Sequence, residues 1–127
     1  MRFMMLVKHA ENAATLCGPP KEFMEHMSKM AEDAAKSGTL LQSGGLAPTA
    51  KSTRIRLSRG HVAALDGPFT EAKEVVGGFA MFELKSKEEA IEGATQFMEL
   101  HKKYWPGWEG ETEVRQILGP EDFAPQK

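Results

Sequence analysis

The order of elements along the chain predicts an α+β domain: a ferredoxin-like split βαβ unit with an inserted β-hairpin. Three observations carry that expectation. Apolar stripes of helical period occur over residues 20–37 and 86–103, four β-compatible runs flank them, and a hairpin pattern lies between the second and third runs. With 127 residues there is room for one core, so residues 1–127 are read as a single domain.

The run "RFMMLVK" at residues 2–8 is short, apolar and β-compatible, and the polar, small-residue stretch "HAENAATLCGPP" after it suits a loop. From Pro20, a favourable first helical residue, Phe23, Met27, Met30 and Ala34 recur at steps of four, three and four and stack on one face. A core-facing helix explains this methionine-bearing stripe more cheaply than a binding groove does. Gly38 ends the helix. "TLLQSGGL" (39–46) forms a short strand closing on a glycine pair, and "APTAKS" leads to a hairpin over 53–67 that turns at Arg59-Gly60. Alternation puts Thr53, Ile55 and Leu57 on one face of that hairpin and Arg54, Arg56 and Ser58 on the other. The two arginines are either a substrate patch or, as is commoner, a solvated face.

"VGGFAMFELKS" (76–86) is the next strand, with Phe79, Met81 and Glu83 alternating against Ala80, Phe82 and Leu84. Ser86 and Glu89 form a capping box, so a helix starts there. Within it Ala90, Ala94, Phe97 and His101 repeat the four, three, four spacing, which places a histidine on the sheet-facing stripe near the helix end. "TEVRQIL" (112–118) is the last strand, with Thr112, Val114 and Gln116 opposite in face to Glu113, Arg115 and Ile117. The polar segment "GPEDFAPQK" (119–127) reads as a loosely held tail.

Composition narrows the function. Hydrophobic residues make up 41% and charged residues 27%, and the net charge of -2 offers no broad attraction for nucleic acid or anionic lipid. The lone Cys17 excludes an internal disulfide framework and a cysteine-based zinc cluster and reads as a loop cysteine; the apolar start is too short for a signal sequence or a membrane span. Cytoplasmic residence is the expectation. His9, His26, His61 and His101 lack HxH and HExxH spacing, so no metal site is expected. GxGxxG, P-loop and GxSxG patterns are likewise missing from the sequence, and no cofactor is expected.

Short connections and alternating strand direction gather three distant segments at one end of the sheet: Lys8 and His9, the loop 66–78, and the helix exit from His101 to Gly110. His26 is placed away from that edge. Asp66-Gly67-Pro68-Phe69 is explained by turn chemistry alone or as part of a site, and Trp105 and Trp108 either stack a flat ligand or partner or simply cover the sheet end. The convergence predicts a cleft that binds a small polar or anionic molecule. If chemistry occurs there, His101 moves the proton, Asp66 or Glu71 orients it, and Lys8, Lys73 and Arg115 hold substrate charge.

The segments "DGPFTEAKEVVGGF" (66–79), "PTAKSTRIRL" (48–57), "MRFMMLVK" and "WPGWEGETEVRQI" (105–117) together resemble the YCII-related superfamily, in particular its DGPF branch. The resemblance implies a dimeric α+β barrel in which two ferredoxin-like sheets meet face to face, with clefts between sheet and helices. It also implies a homodimer whose activity is unassigned: some relatives act on chlorinated aromatic breakdown products, and DGPF proteins are linked to alternative sigma factors, which makes a non-catalytic regulatory module the second expectation. The histidine and aspartate pair of YCII-like members joins the first helix to the end of the second. His26 matches the former, but the second helix here leads into His101 without an Asp-Pro, so the pair is not carried over. The family's "PSSKG" is "PTAKS" here, with Ala50 in place of a hydroxyl.

Overall fold

The computed structural model describes residues 1–123; the end of the tail, 124–127, lies outside the described residues. In chain order the elements are β1 (Arg2–His9), the single turn α1 (Ala13–Leu16), α2 (Lys21–Lys36), β2 (Leu40–Gly45), β3 (Thr53–Ser58), β4 (His61–Asp66), β5 (Val75–Glu83), α3 (Lys87–Tyr104) and β6 (Gly110–Gln116). Four strands form one antiparallel sheet in the order β2-β5-β1-β6, and β3 with β4 forms a separate hairpin. This is the split βαβ order expected from the sequence.

Local signals set most boundaries. α2 stops at Gly38, whose φ of 80° suits a residue without a Cβ, and the closing bonds Gly38 N–H to Ala35 O and Thr39 N–H to Ala34 O, both 3.1 Å, give two carbonyls of the last turn their partners. α3 starts after Ser86, whose hydroxyl accepts from the Glu89 N–H at 3.2 Å. Glu89 reaches back one residue further than expected, to the Lys85 N–H. The hairpin turns at Arg59 and Gly60, with φ of 51° and 79°, the pair of positive values a two-residue turn needs to match strand twist. α1 falls inside the stretch expected as loop, because Asn12 and Thr15 exchange side-chain and backbone bonds of 2.9 and 3.1 Å that wind one turn. β6 begins at Gly110 rather than 112: Gly110 and Glu111 have little strand propensity of their own, and pairing with His9 and Lys8 recruits them.

The register divides the sheet into two unlike faces. Phe3 lies opposite Phe82 and Gln116, and Met5 opposite Ala80 and Val114. This face carries the helices: Phe3, Met5, Ala90 and Ala94 form the buried core, with Phe82, Leu84 and Val114 packed against it. Phe23 of α2, also fully buried, meets Phe97 of α3 with ring centroids 6.5 Å apart. Each such large side chain contributes about 1.5–3 kcal/mol by leaving water. On the second face Met4 pairs with Met81 and Leu6 with Phe79, and all four stay half-buried because no element of the described residues lies over them.

Candidate functional site

The sheet topology puts the ends of β1 and β2, the starts of β5 and β6 and the exit of α3 at one end of the molecule. α2 starts there as well. His26, in its second turn, therefore stacks on Tyr104 at 4.0 Å between centroids and 11° between planes. The expectation that His26 lies away from this edge is thus corrected: a helix that returns from the upper end begins at that end.

His101 is 4% exposed and sits among the rings of Phe23, Phe97 and Trp108 at 4.5, 4.6 and 4.2 Å. Its Nδ1–H donates to the Phe97 carbonyl at 2.8 Å, the acceptor one turn back on the same helix, which leaves Nε2 with a lone pair. Burial pushes its pKa down, outweighing the Phe97 carbonyl, and the neighbouring charge of His9 adds to the lowering. His101 is therefore held as the neutral imidazole. His9 donates from Nδ1 to Ala10 O at 3.0 Å and meets the Trp108 ring edge-on at 6.3 Å. Gly77 makes room for the His9 ring, since a Cβ there would stand 2.0 Å from Nε2.

The stretch Asp66 to Phe69 closes the hairpin and ties it to the sheet. Thr53 donates its hydroxyl to Asp66 at 2.7 Å, and the Gly67 N–H donates to Ser52 O at 2.8 Å. Gly67 presses on the Thr49 carbonyl, where a Cβ would come within 1.7 Å of the oxygen. Thr49 is the hub: its hydroxyl accepts from the Phe69 N–H at 3.2 Å and donates to the Glu11 carboxylate, which also accepts from the Thr49 N–H at 2.8 Å. The Thr49 hydroxyl, then its N–H, hold the Glu11 carboxyl below its usual pKa.

Phe69, buried by this network, supports Arg54, whose guanidinium carbon lies 3.7 Å from the ring centroid. Arg54 Nη1 also reaches Glu71 at 2.8 Å. Beside them opens a cleft of about 430 Å³ between the hairpin root and the upper ends of β2 and β5, lined by Leu46, Ser52, Arg54, Phe69, Glu74 and Val76 among others. A second groove of about 390 Å³, between α3 and β6, is walled by Ala94, Met98, Thr112 and Val114 with the carboxylate of Glu99 and no cation. Volumes of this size fit small molecules, and only the first offers an anion a partner.

The six residues expected to act together occupy separate settings. His101 is in the aromatic cluster, while Asp66 and Glu71 are exposed at the hairpin root and bonded to Thr53 and Arg54. Neither orients His101: a histidine on a helix has the carbonyl four residues back within reach, and the nearest donors to the two carboxylates are on β3. Lys8 and Arg115 both bond to Glu113 on the open sheet face, Arg115 through Nε at 2.6 Å. That pairing with Lys8, then Arg115, lowers the Glu113 pKa, and the hydrogen bond to Glu113 raises that of Lys8. Lys73 is exposed and makes no ion pair with a described residue. The sequence signals for Glu11, Thr49 and Arg54 were weak: a carboxylate just past a strand, a connector threonine, and the root position that separates half-buried Arg54 from exposed Arg56. Among the described residues no three His, Cys, Asp or Glu side chains cluster as metal ligands, and no helix is long and apolar enough to cross a membrane.

Comparison with known proteins finds an uncharacterized protein of Rhizobium meliloti (strain 1021), 32% identical over 71 residues, the match covering 56% of this chain and 57% of that protein. The chain thus spans little more than half the length of this relative. Among solved structures it is similar to 5-chloro-2-hydroxyhydroquinone dehydrochlorinase from Burkholderia phenoliruptrix AC1100 in complex with 2,5-dihydroxybenzoquinone, at 11% identity and a TM-score of 0.49, covering 96% of this chain and 98% of that one. The family model for the YCII-related domain matches residues 1–99, which takes in β1 through most of α3 and with them the hairpin, the Asp66–Phe69 turn and the cleft; the chain belongs to the YCII-related family.

Proposed function

We propose that this protein is a cytoplasmic homodimer that binds a small anionic molecule, a carboxylate or phenolate, in the cleft at the hairpin root. The observation that carries the reading is Arg54. Its guanidinium is stacked on Phe69 at the cleft wall and, among the described residues, is paired only with Glu71, a side chain 67% exposed. Surface pairs of this kind contribute about 0–1 kcal/mol, so an incoming anion displaces Glu71 at little cost while the Phe69 ring keeps the guanidinium in place. Lys73, next in the chain to cleft-lining Glu74, supplies a second cation. The homodimer reading is supported by the half-buried Met4, Leu6, Phe79 and Met81 on the open face, flanked by Lys8, Glu113 and Arg115.

The second reading, a non-catalytic module that docks on another protein, for instance in an alternative sigma factor system, is favoured by the exposed apolar side chains of the hairpin. A thermal-shift screen against benzoate, catechol and inorganic phosphate separates the two. The first reading expects at least one of these compounds to raise the melting temperature of the wild type by mass action, and Arg54→Gln to remove that rise. No stabilisation by any of them, or an equal rise in Arg54→Gln, refutes it.

A further inference from the structure

Two charges of opposite sign line the cleft at the hairpin root. Arg54 stands on the hairpin side, while Glu74 immediately precedes β5 and belongs to the sheet side. Leu46, Phe69, Val75 and Val76 supply apolar lining around them. The two charged heads are not paired with each other: Arg54 is turned to Glu71. Among the described residues Glu74 has neither a cation nor a hydrogen-bond donor as partner, not even its chain neighbour Lys73. A guanidinium and a carboxylate that share a cleft without meeting leave a gap for a ligand to span.

That arrangement constrains what the ligand carries. A simple anion drawn to Arg54 enters beside the Glu74 carboxylate, and like charges next to apolar walls repel one another more than they do in open water. Once the ligand has displaced Glu71, Arg54 and Glu74 balance, so a molecule with one charge of each sign offsets both. A volume of about 430 Å³ has room for such a molecule with a short hydrocarbon chain.

We propose that the cleft takes an aliphatic amino acid, its carboxylate on Arg54, its ammonium on Glu74 and its chain against Leu46 and Val76. This inference rests on the anion site proposed above and adds to it the cationic group of the ligand.

Isothermal titration calorimetry on the full chain tests it with two pairs of compounds. Leucine is compared with isocaproate, the same molecule without the ammonium, and ε-aminocaproate with hexanoate, so that the ammonium sits either beside the carboxylate or at the far end of the chain. Isoamylamine is leucine without its carboxylate. In the wild type the amino acid of at least one pair should bind at least about fivefold more tightly than its carboxylate counterpart, the gain expected of a partly exposed ion pair. Glu74→Gln should erase that preference while the plain carboxylate binds as well as before or better, and Glu74→Asp, which keeps the charge, should retain it. Far-ultraviolet circular dichroism matching the wild type shows that both variants fold. Carboxylates that bind as tightly as the amino acids, or a preference that survives Glu74→Gln, overturn the amino-acid assignment and leave the anion site standing. Binding of none of the compounds, or of isoamylamine as tightly as leucine, overturns the anion site as well.

Discussion

At the level of single residues, His101 shows how spacing and burial divide the work. Its position on the sheet-facing stripe of α3 follows from the recurrence Ala90, Ala94, Phe97, His101, and was legible in the sequence. Its hydrogen-bond partner was not, because periodicity locates a side chain on a face and says nothing of which acceptor its ring meets. Phe97 O, one helical turn away, is always in range of such a residue. The consequence is a pH dependence with a definite sign. His101 has a folded pKa below its unfolded value, so the unfolded state binds the extra proton and stability is lost as pH falls through the ordinary histidine range towards the folded pKa, while above that range it is complete. Melting temperatures measured from pH 8 to pH 5 should therefore fall on the acid side, and His101→Phe, which keeps an aromatic ring in the cluster, should flatten that limb. An unchanged slope in the variant would mean that His101 is not the group that titrates.

At the level of elements, the segments with strong local punctuation were read closely: Gly38 ends α2, Ser86 starts α3, and Arg59-Gly60 turns the hairpin. What could not be read were contacts between segments far apart in the chain. The union of Glu11, Thr49 and Phe69 spans three such segments and has no local signature. It explains the Asp66–Phe69 stretch as a structural clasp: Asp66 closes the ribbon, Gly67 admits the Thr49 carbonyl and Phe69 plugs the joint. Two glycine variants should separate backbone from side-chain crowding. Gly67→Ala forces a Cβ onto a backbone oxygen and should cost more than about 2 kcal/mol in urea unfolding. Gly77→Ala meets only the His9 imidazole, which can rotate away, and should cost about 1 kcal/mol or less while moving the His9 ring resonances. Equal costs would contradict the clasp. In the same network, Thr49→Val leaves Glu11 and the Phe69 N–H each short of a partner and should cost about 1–3 kcal/mol.

At the level of the whole molecule, strand order and direction followed from short connections and a single hairpin, which leave few ways to arrange four strands and two helices. The convergence of distant segments at the upper end followed too. Which charges meet there did not, since a residue's face on a strand or ribbon sends it to one of several surfaces: Lys8 and Arg115 to the open sheet face, Asp66 and Glu71 to the hairpin. The cleft exists because the hairpin root is drawn against the sheet end, with Arg54 held on Phe69 at its wall. That placement is the central claim, and a titration of the ¹⁵N-labelled protein with benzoate, followed by amide and arginine side-chain shifts, tests it most directly. Saturable shifts centred on Ser52, Arg54, Phe69 and Val76, including the Arg54 Nε–H, are expected, and they should disappear in Arg54→Gln. Shifts centred on the α3–β6 groove instead, or none at the hairpin root at saturating anion, would contradict it.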